Sequence, residues 1–251
     1  MKTPDIPADE TPEGESRSAA PRRRFLKMGT ALGTGLLLAG PGIVRVPPAL
    51  ADAPGADAMS AVEAIRRRRS VRGFKPDPVP EDDLKTILKS ACLAPTSGNQ
   101  QPWEFLVIKE RAALDRLKDA CIAHRMDRAA AGGETSDGQL ERQRASAETY
   151  FTNYLSAPVY VVVLTSSKSR YPDYNHWDGP LAAANLMIAA RALGYGTVFC
   201  TDSIPEAVTR EVFNIPEHLT RVCITPIGVP EEWPRRPSKK PWRSFIQKET
   251  Y

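Results

Sequence analysis

The 251-residue chain has only four cysteines and three histidines, and neither set is arranged for chemistry. Cys92, Cys121, Cys200 and Cys223 are widely spaced and form no CxxC pair, which argues against zinc-ribbon and dithiol motifs. Each lies in an apolar stretch, so buried thiols are expected, with one disulfide left open in an oxidising compartment. His124, His176 and His218 have no Asp or Cys partner at metal-ligand spacing and read as surface or structural residues. There is no GxSxG, and Ser97 lacks the strand-turn-helix setting of a hydrolase nucleophile. Gly194 and Gly196 follow a helical pattern, so they make a turn and not a dinucleotide fingerprint. The apolar run at residues 31–40 is too short and too glycine-rich to span about 30 Å of hydrocarbon. No repeat period is visible.

An excess of one charge is also missing. The net charge is +4; residues 1–51 hold seven basic against five acidic residues, and the remainder 27 against 25. That balance argues against a nucleic-acid module, whose phosphate contacts need a strongly basic face. What positive charge there is comes concentrated in "AIRRRRSVRGF", residues 64–74, where Arg66 to Arg69 run together and Arg72 follows.

Residues 1–51 read as an address. "PRRRFLKMG" followed by "TALGTGLLLAG" and "ALA" resembles a twin-arginine export signal, with Arg22 and Arg23 as the pair and a small-x-small site ending at Ala51. The expectation is export to the periplasm, cleavage after Ala51, no stable membrane insertion afterwards, and one domain over residues 52–251. Because the twin-arginine route moves folded proteins, a cofactor installed before export is expected.

Ser60 and Glu63 have the spacing of a capping box, opening a helix to about Arg69 with Val62 and Ile65 on one face. At 100° per residue the four arginines fan around that helix and cannot form one flat stripe. Pro80, Glu81 and Asp82 open a second helix that buries Leu84, Ile87, Leu88, Ala91 and Cys92 at helical spacing. The loop "PTSGNQQPW" leads into a buried strand at residues 105–108, and a third helix spans residues 111–124. Residues 125–147 are polar and without clear period, which reads as a lid or a poorly ordered excursion. A β-branched strand at 159–164, a helix at 181–193, a short strand at 197–200, a helix at 205–213 and a strand at 222–229 precede a proline-rich basic tail. Interleaved helices and strands place the fold among α+β or α/β three-layer architectures.

"RRSVRGF", "APTSGNQQPWEFLVI", "AAANLMIAARALGYGTVF" and "IGVPEEWPRRPSKKPW", in that order, resemble the FMN-dependent nitroreductase family over residues 61–246. The resemblance implies a mixed central β-sheet flanked by helices and a domain-swapped-tail homodimer holding two FMN molecules at its interface. It implies that Arg68 and Ser70 hold the FMN phosphate, that Arg69 lies along the ribityl chain, and that Arg72 reaches the flavin pyrimidine. Lys239 and Lys240 would complete the phosphate site, with Arg236 a further candidate. Pro95, Thr96, Ser97 and Asn99 would contact the FMN of the opposite subunit, and Asp178 would face the pyrimidine edge. The backbone of Phe199, Cys200 and Thr201 would face N5, which makes Cys200 a main-chain contact and not a catalytic thiol.

Guanidinium groups suit a phosphate because they offer paired donors, and a cation beside N1 stabilises the anion of the reduced flavin. Arg66 and Arg67 match nothing functional in the family pattern and are expected on a solvated face. Trp103 is expected in the core, while His176 and Trp177 are candidates for the substrate side. No catalytic side chain is assigned, because flavin N5 is the reactive centre. The implied activity is hydride transfer between a donor such as NAD(P)H and an electron-poor small molecule: a nitroaromatic, a quinone or an activated alkene. The alternative is a flavin-binding electron carrier or redox sensor without turnover.

Overall fold

The computed structural model describes residues 59–133 and 136–250; the export signal and its cleavage point lie outside them. Strand β2 (Val159–Ser166) is the middle of a three-stranded sheet, with β1 (Trp103–Ile108) and β3 (Leu219–Ile227) antiparallel on either side. Its side chains alternate between two cores, as the two-residue period of a strand requires. Val159, Val161 and Val163 join Leu84, Ile87 and Leu186 on one face. Tyr160, Val162 and Leu164 join Leu114, Leu117 and Phe151 on the other.

Helices α2 (Glu81–Ala91) and α5 (Asn175–Ala192) cover the first face. Helices α3 (Arg111–Ala131), α4 (Asp137–Tyr154) and α6 (Glu206–Val212) cover the second. The expected three-layer α+β architecture is therefore present. The three strands are all antiparallel; the mixed character of the sheet rests on bridges beyond β3. Residues 196–200 pair antiparallel with β3 through Gly196–Gly228 and Cys200–Ile224, and Ser70 bridges in parallel to Thr197. These isolated bridges stand where a short strand at 197–200 was expected.

Between β2 and β3 the register slips by one residue: Val163 faces Cys223, whereas Leu164 faces Arg221. Val222 is the extra residue, a β-bulge. Cys223 and Val222 both pack toward α2 and α5, and Arg221 turns to the opposite side. There its guanidinium donates to the Ile204 carbonyl at 2.8 Å, the Thr209 hydroxyl at 3.1 Å and the Thr201 carbonyl at 2.6 Å.

Two expectations change. Residues 125–147 are not a poorly ordered excursion among the described residues; α3 continues to Ala131 and α4 begins at Asp137, the two forming a helical pair. Helix α1 (Ala61–Arg67) is capped as expected, Ser60 Oγ accepting from the Glu63 N–H at 3.3 Å. It ends before Arg68, however, and it buries Ala64 while Val62 and Ile65 point outward. A small residue lets α1 lie close against α5, and the larger apolar pair is left on the far side.

All four cysteines are free, and Cys92, at the end of α2, is exposed where burial was expected. Burial pushes the Cys121 and Cys223 thiols from 9.0 up to about 12. Their folded-state pKa is raised, so this contribution to stability is complete below the unfolded value and is lost as pH rises from about 9 toward 12. A falling Tm across that alkaline window is expected. At pH 8 a thiol reagent should label Cys92 alone in the native protein; rapid labelling of a second thiol would contradict the packing.

Candidate functional site

Helix α1 stops because Arg68 leaves helical geometry, with φ −57° and ψ 135°. The extended chain then runs beside residue 197, Val71 N–H donating to the Thr197 carbonyl at 3.0 Å. Val71 is buried while Ser70 and Arg72 are exposed, so these two point to the side opposite Val71, as alternation in an extended segment dictates.

This exit from α1 forms one wall of a cavity of about 360 Å³. Arg66, Arg68, Arg69 and Ser70 meet there with Arg235, Arg236 and Lys239 of the C-terminal tail, and no carboxylate lines it. Arg69 bends back to donate to the carbonyls of Arg66 at 3.0 Å and Arg68 at 2.8 Å, and its buried Nε has no partner. So many cations around a donor without an acceptor form a receptor for a multiply charged anion. Arg66 is exposed, as expected, and also lines the cavity. Arg67 does turn outward, paired with Glu63 at 2.9 Å.

The tail is held at this wall by a contact that sequence reasoning missed. The Arg191 guanidinium lies 3.7 Å from the centre of the Trp233 ring. Arg191 is 9% exposed, and its Nε is buried without a hydrogen-bond partner. Burial, and then Arg67 and Arg69, disfavour its charge; the indole face offsets part of that cost. Trp233 immediately precedes Pro234, where the tail enters the cavity wall. The only sequence signal was a lone arginine in the alanine-rich helix "AAANLMIAARA".

The loop at residues 95–101 is a second constructed feature. Gly98, Asn99 and Gln101 all have positive φ, between 50° and 56°, a conformation that is costly for the two non-glycine residues unless the surroundings enforce it. Asp178, 3% exposed near the start of α5, supplies the restraint. Its carboxylate accepts from the Ser97 N–H at 3.2 Å and from Gln100 Nε2 at 2.7 Å. Gln100 Oε1 in turn accepts from the Tyr171 N–H at 2.7 Å. Asp178 thus shapes the loop, a task the sequence did not reveal, and Gln100 is the partner it needs.

Of the residues expected at the site, Arg68, Arg69, Ser70 and Lys239 come together in the cationic cavity. Arg72 is exposed and does not line it, and Lys240 is exposed next to Lys239. Pro95, Thr96, Ser97, Asn99 and Asp178 form the separate loop assembly. Phe199, Cys200 and Thr201 follow the Thr197 bridge: Cys200 is buried and paired with Ile224, and Phe199 and Thr201 are exposed on either side of it. Phe199 and His176 line a further cavity of about 610 Å³. Trp177 is exposed and packs on His176, with ring centres 4.0 Å apart. Trp103 is half-buried at the start of β1.

The helix-covered sheet and its extension through residues 196–200 and 70 define a nitroreductase-like fold. The nitroreductase family model matches residues 65–229, and the chain belongs to that family. It is 32% identical over 187 residues to a 5,6-dimethylbenzimidazole synthase of Rhodobacter capsulatus, covering 67% of this chain and 83% of the relative. A BluB-like flavoprotein of Clostridium difficile 630 superimposes with a TM-score of 0.61 at 26% identity, over 76% of this chain and 100% of that one. An iodotyrosine deiodinase structure containing FMN and 3-iodo-L-tyrosine has the same fold, with a TM-score of 0.59 at 23% identity and coverage of 76% and 100%.

Proposed function

We propose that this chain is an FMN-dependent oxidoreductase that passes a hydride between a reduced donor such as NAD(P)H and an electron-poor small molecule. The cationic cavity carries the reading. A phosphate monoester bears close to two negative charges at neutral pH, and the cavity offers guanidinium and ammonium donors with no competing acid. The unpartnered Arg69 Nε matches a missing anionic acceptor. Arg68, Ser70 and Lys239 would hold the phosphate, and Arg72, on the same side of the chain as Ser70, would hold the anionic ring edge. When bound, FMN supplies two-electron chemistry at N5. The protein's part is to fix its position, balance its charge and exclude water.

Membership of the family supports a homodimer, and so does the distribution of apolar surface. The tail from Glu231 to Thr250 is exposed throughout, and it carries Trp242, Phe245 and Ile246 at 64%, 65% and 54% exposure. Trp177, Leu181 and Phe199 add exposed apolar surface on the body. Unpartnered side chains of that size are suited to a second copy.

The purified protein is expected to be yellow, with extractable FMN. A colourless preparation that takes up no added FMN would remove the reading. Turnover of a nitroaromatic with NAD(P)H separates an enzyme from an electron carrier, which would keep its flavin and show none. Export by the twin-arginine route remains part of the proposal, and N-terminal sequencing of the mature protein should begin at Asp52. Among the described residues no helix is long and apolar enough to cross a membrane.

The tail contact gives a further expectation. Trp233→Ala removes the surface on which Arg191 rests, so the cations of the tail lose their anchor. FMN affinity should fall by roughly tenfold, in line with a partly buried cation–π contact. Trp233→Phe should retain much of the affinity. Unchanged FMN affinity in the alanine variant, measured by flavin titration, would show that the tail is held by other contacts.

A further inference from the structure

A cavity of about 620 Å³ lies between α3, α4 and the segment that follows Thr201, and the function proposed above leaves its polar residues unused. Arg125 and Arg128 stand three apart on α3 and share one side of the helix. Neither has a carboxylate partner among the described residues. Of the two acids across the cavity, Glu206 is ion-paired and Asp202 keeps its charge. Asp202 accepts from the Thr201 hydroxyl at 3.1 Å, and Glu206 pairs with Arg210 at 3.2 Å. Arg221 commits three of its five N–H donors to the oxygens described above and adds positive field to the cavity.

The remaining wall is aromatic. Tyr150 is 39% exposed and held flat against Tyr154, with ring centres 5.6 Å apart and planes 16° from parallel. Phe151 packs edge-on to Tyr150 at 5.1 Å, and the Arg125 guanidinium carbon stands 5.7 Å from the Tyr150 ring centre. A fixed ring beside two guanidinium groups without carboxylate partners among the described residues suits a planar ligand with an anionic substituent. The cavity also opens onto Thr201, part of the main-chain segment that the family resemblance sets against flavin N5.

We propose that this cavity is the acceptor subsite and that it selects aromatic carboxylates: Arg125 and Arg128 take the carboxylate, and Tyr150 flanks the ring. The choice of substrate class rests on the flavoenzyme reading; the anion preference of the cavity does not.

The test is equilibrium titration of the purified holoprotein with 4-nitrobenzoate and with its uncharged methyl ester, followed by calorimetry and by tyrosine fluorescence. The acid is expected to bind at least about tenfold more tightly than the ester. Arg125→Leu and Arg128→Leu should each remove part of that preference and the double variant all of it, with ester affinity and FMN content unchanged. The charge-conserving pair Arg125→Lys and Arg128→Lys should restore a preference for the acid. Equal affinity for acid and ester in a yellow, folded protein would overturn the subsite and leave the flavin reading intact. So would a preference that survives in the double leucine variant. A colourless protein that still favours the acid through these two arginines would support the anion preference of the cavity and remove the flavin reading, and with it the acceptor role.

Discussion

Arg68→Ala is expected to lower FMN affinity by about ten- to a hundredfold. A hydrogen bond to a charged group contributes about 1.5–3 kcal/mol, and each 1.4 kcal/mol is a factor of ten. Arg68 is the residue at which the chain leaves α1, and it lines the cationic cavity beside Ser70. Its neighbour Arg67 provides the control. That side chain faces solvent in an ion pair with Glu63, about 60% and 43% exposed respectively, and such pairs contribute little to stability. Arg67→Ala should therefore leave FMN affinity within about twofold. Arg66→Ala should fall between the two, since Arg66 reaches the cavity alongside other cations. The measurement is a flavin titration of the apoprotein, with the Tm recorded to confirm folding. Equal losses at positions 67 and 68 would mean that overall charge, and not the direction each arginine takes, sets the affinity.

Gly179→Ala is expected to be strongly destabilising, the added methyl meeting the shortest contact among the described glycines. A Cβ at this position would stand 2.4 Å from Val222 Cγ2 and 2.8 Å from Thr165 Cγ2, so α5 would have to lift from the sheet. Overpacking of this kind costs about 1–3 kcal/mol or more, and for a domain of this size each kcal/mol lowers Tm by about 2–4 °C. A fall of roughly 4–10 °C is expected. The adjacent residue is Asp178, which holds Ser97 and Gln100, so the loop at 95–101 should loosen with the helix and become more sensitive to proteolysis. Val222→Ala in the same chain opens the space and should recover most of the lost Tm. If the single variant melts like the parent, the close approach of α5 and β3 is not present in solution.

Much of this fold is legible in the amino-acid order, because its sheet and several helices announce themselves by period. The β-branched run of β2, the capped start of α1 and the acidic first turn of α2 all stand where local rules put them. Helix α4 does not announce itself. It buries only Ala147, Phe151 and Tyr154, all in its second half, so most of its length has no apolar face to detect. Helix α1 misled for a related reason: its packed residue is the small Ala64, and its conspicuous Val62 and Ile65 face outward. At the candidate site, Arg68, Arg69, Ser70 and Lys239 were visible through family resemblance. The contacts that fix their surroundings were not. Arg191 and Trp233 meet only once α5 and the tail have been placed. Asp178 acquires its role from the left-handed turns of residues 98–101, a property of the folded loop that no spacing rule encodes.

The extra residue at Val222 makes the strand a parity device. With unbroken alternation from Cys223, the guanidinium of Arg221 would be delivered to the α5 compartment, where Gly179 leaves no room even for a methyl group. The bulge takes Val222 out of that alternation and sends the charge to the compartment of α3, α4 and α6. Straightening the bulge with every residue kept would transpose inside and outside for everything upstream of it in β3, whereas deleting Val222 would leave each side chain on its present side. Strand length here is a piece of information, carried by no side chain in particular.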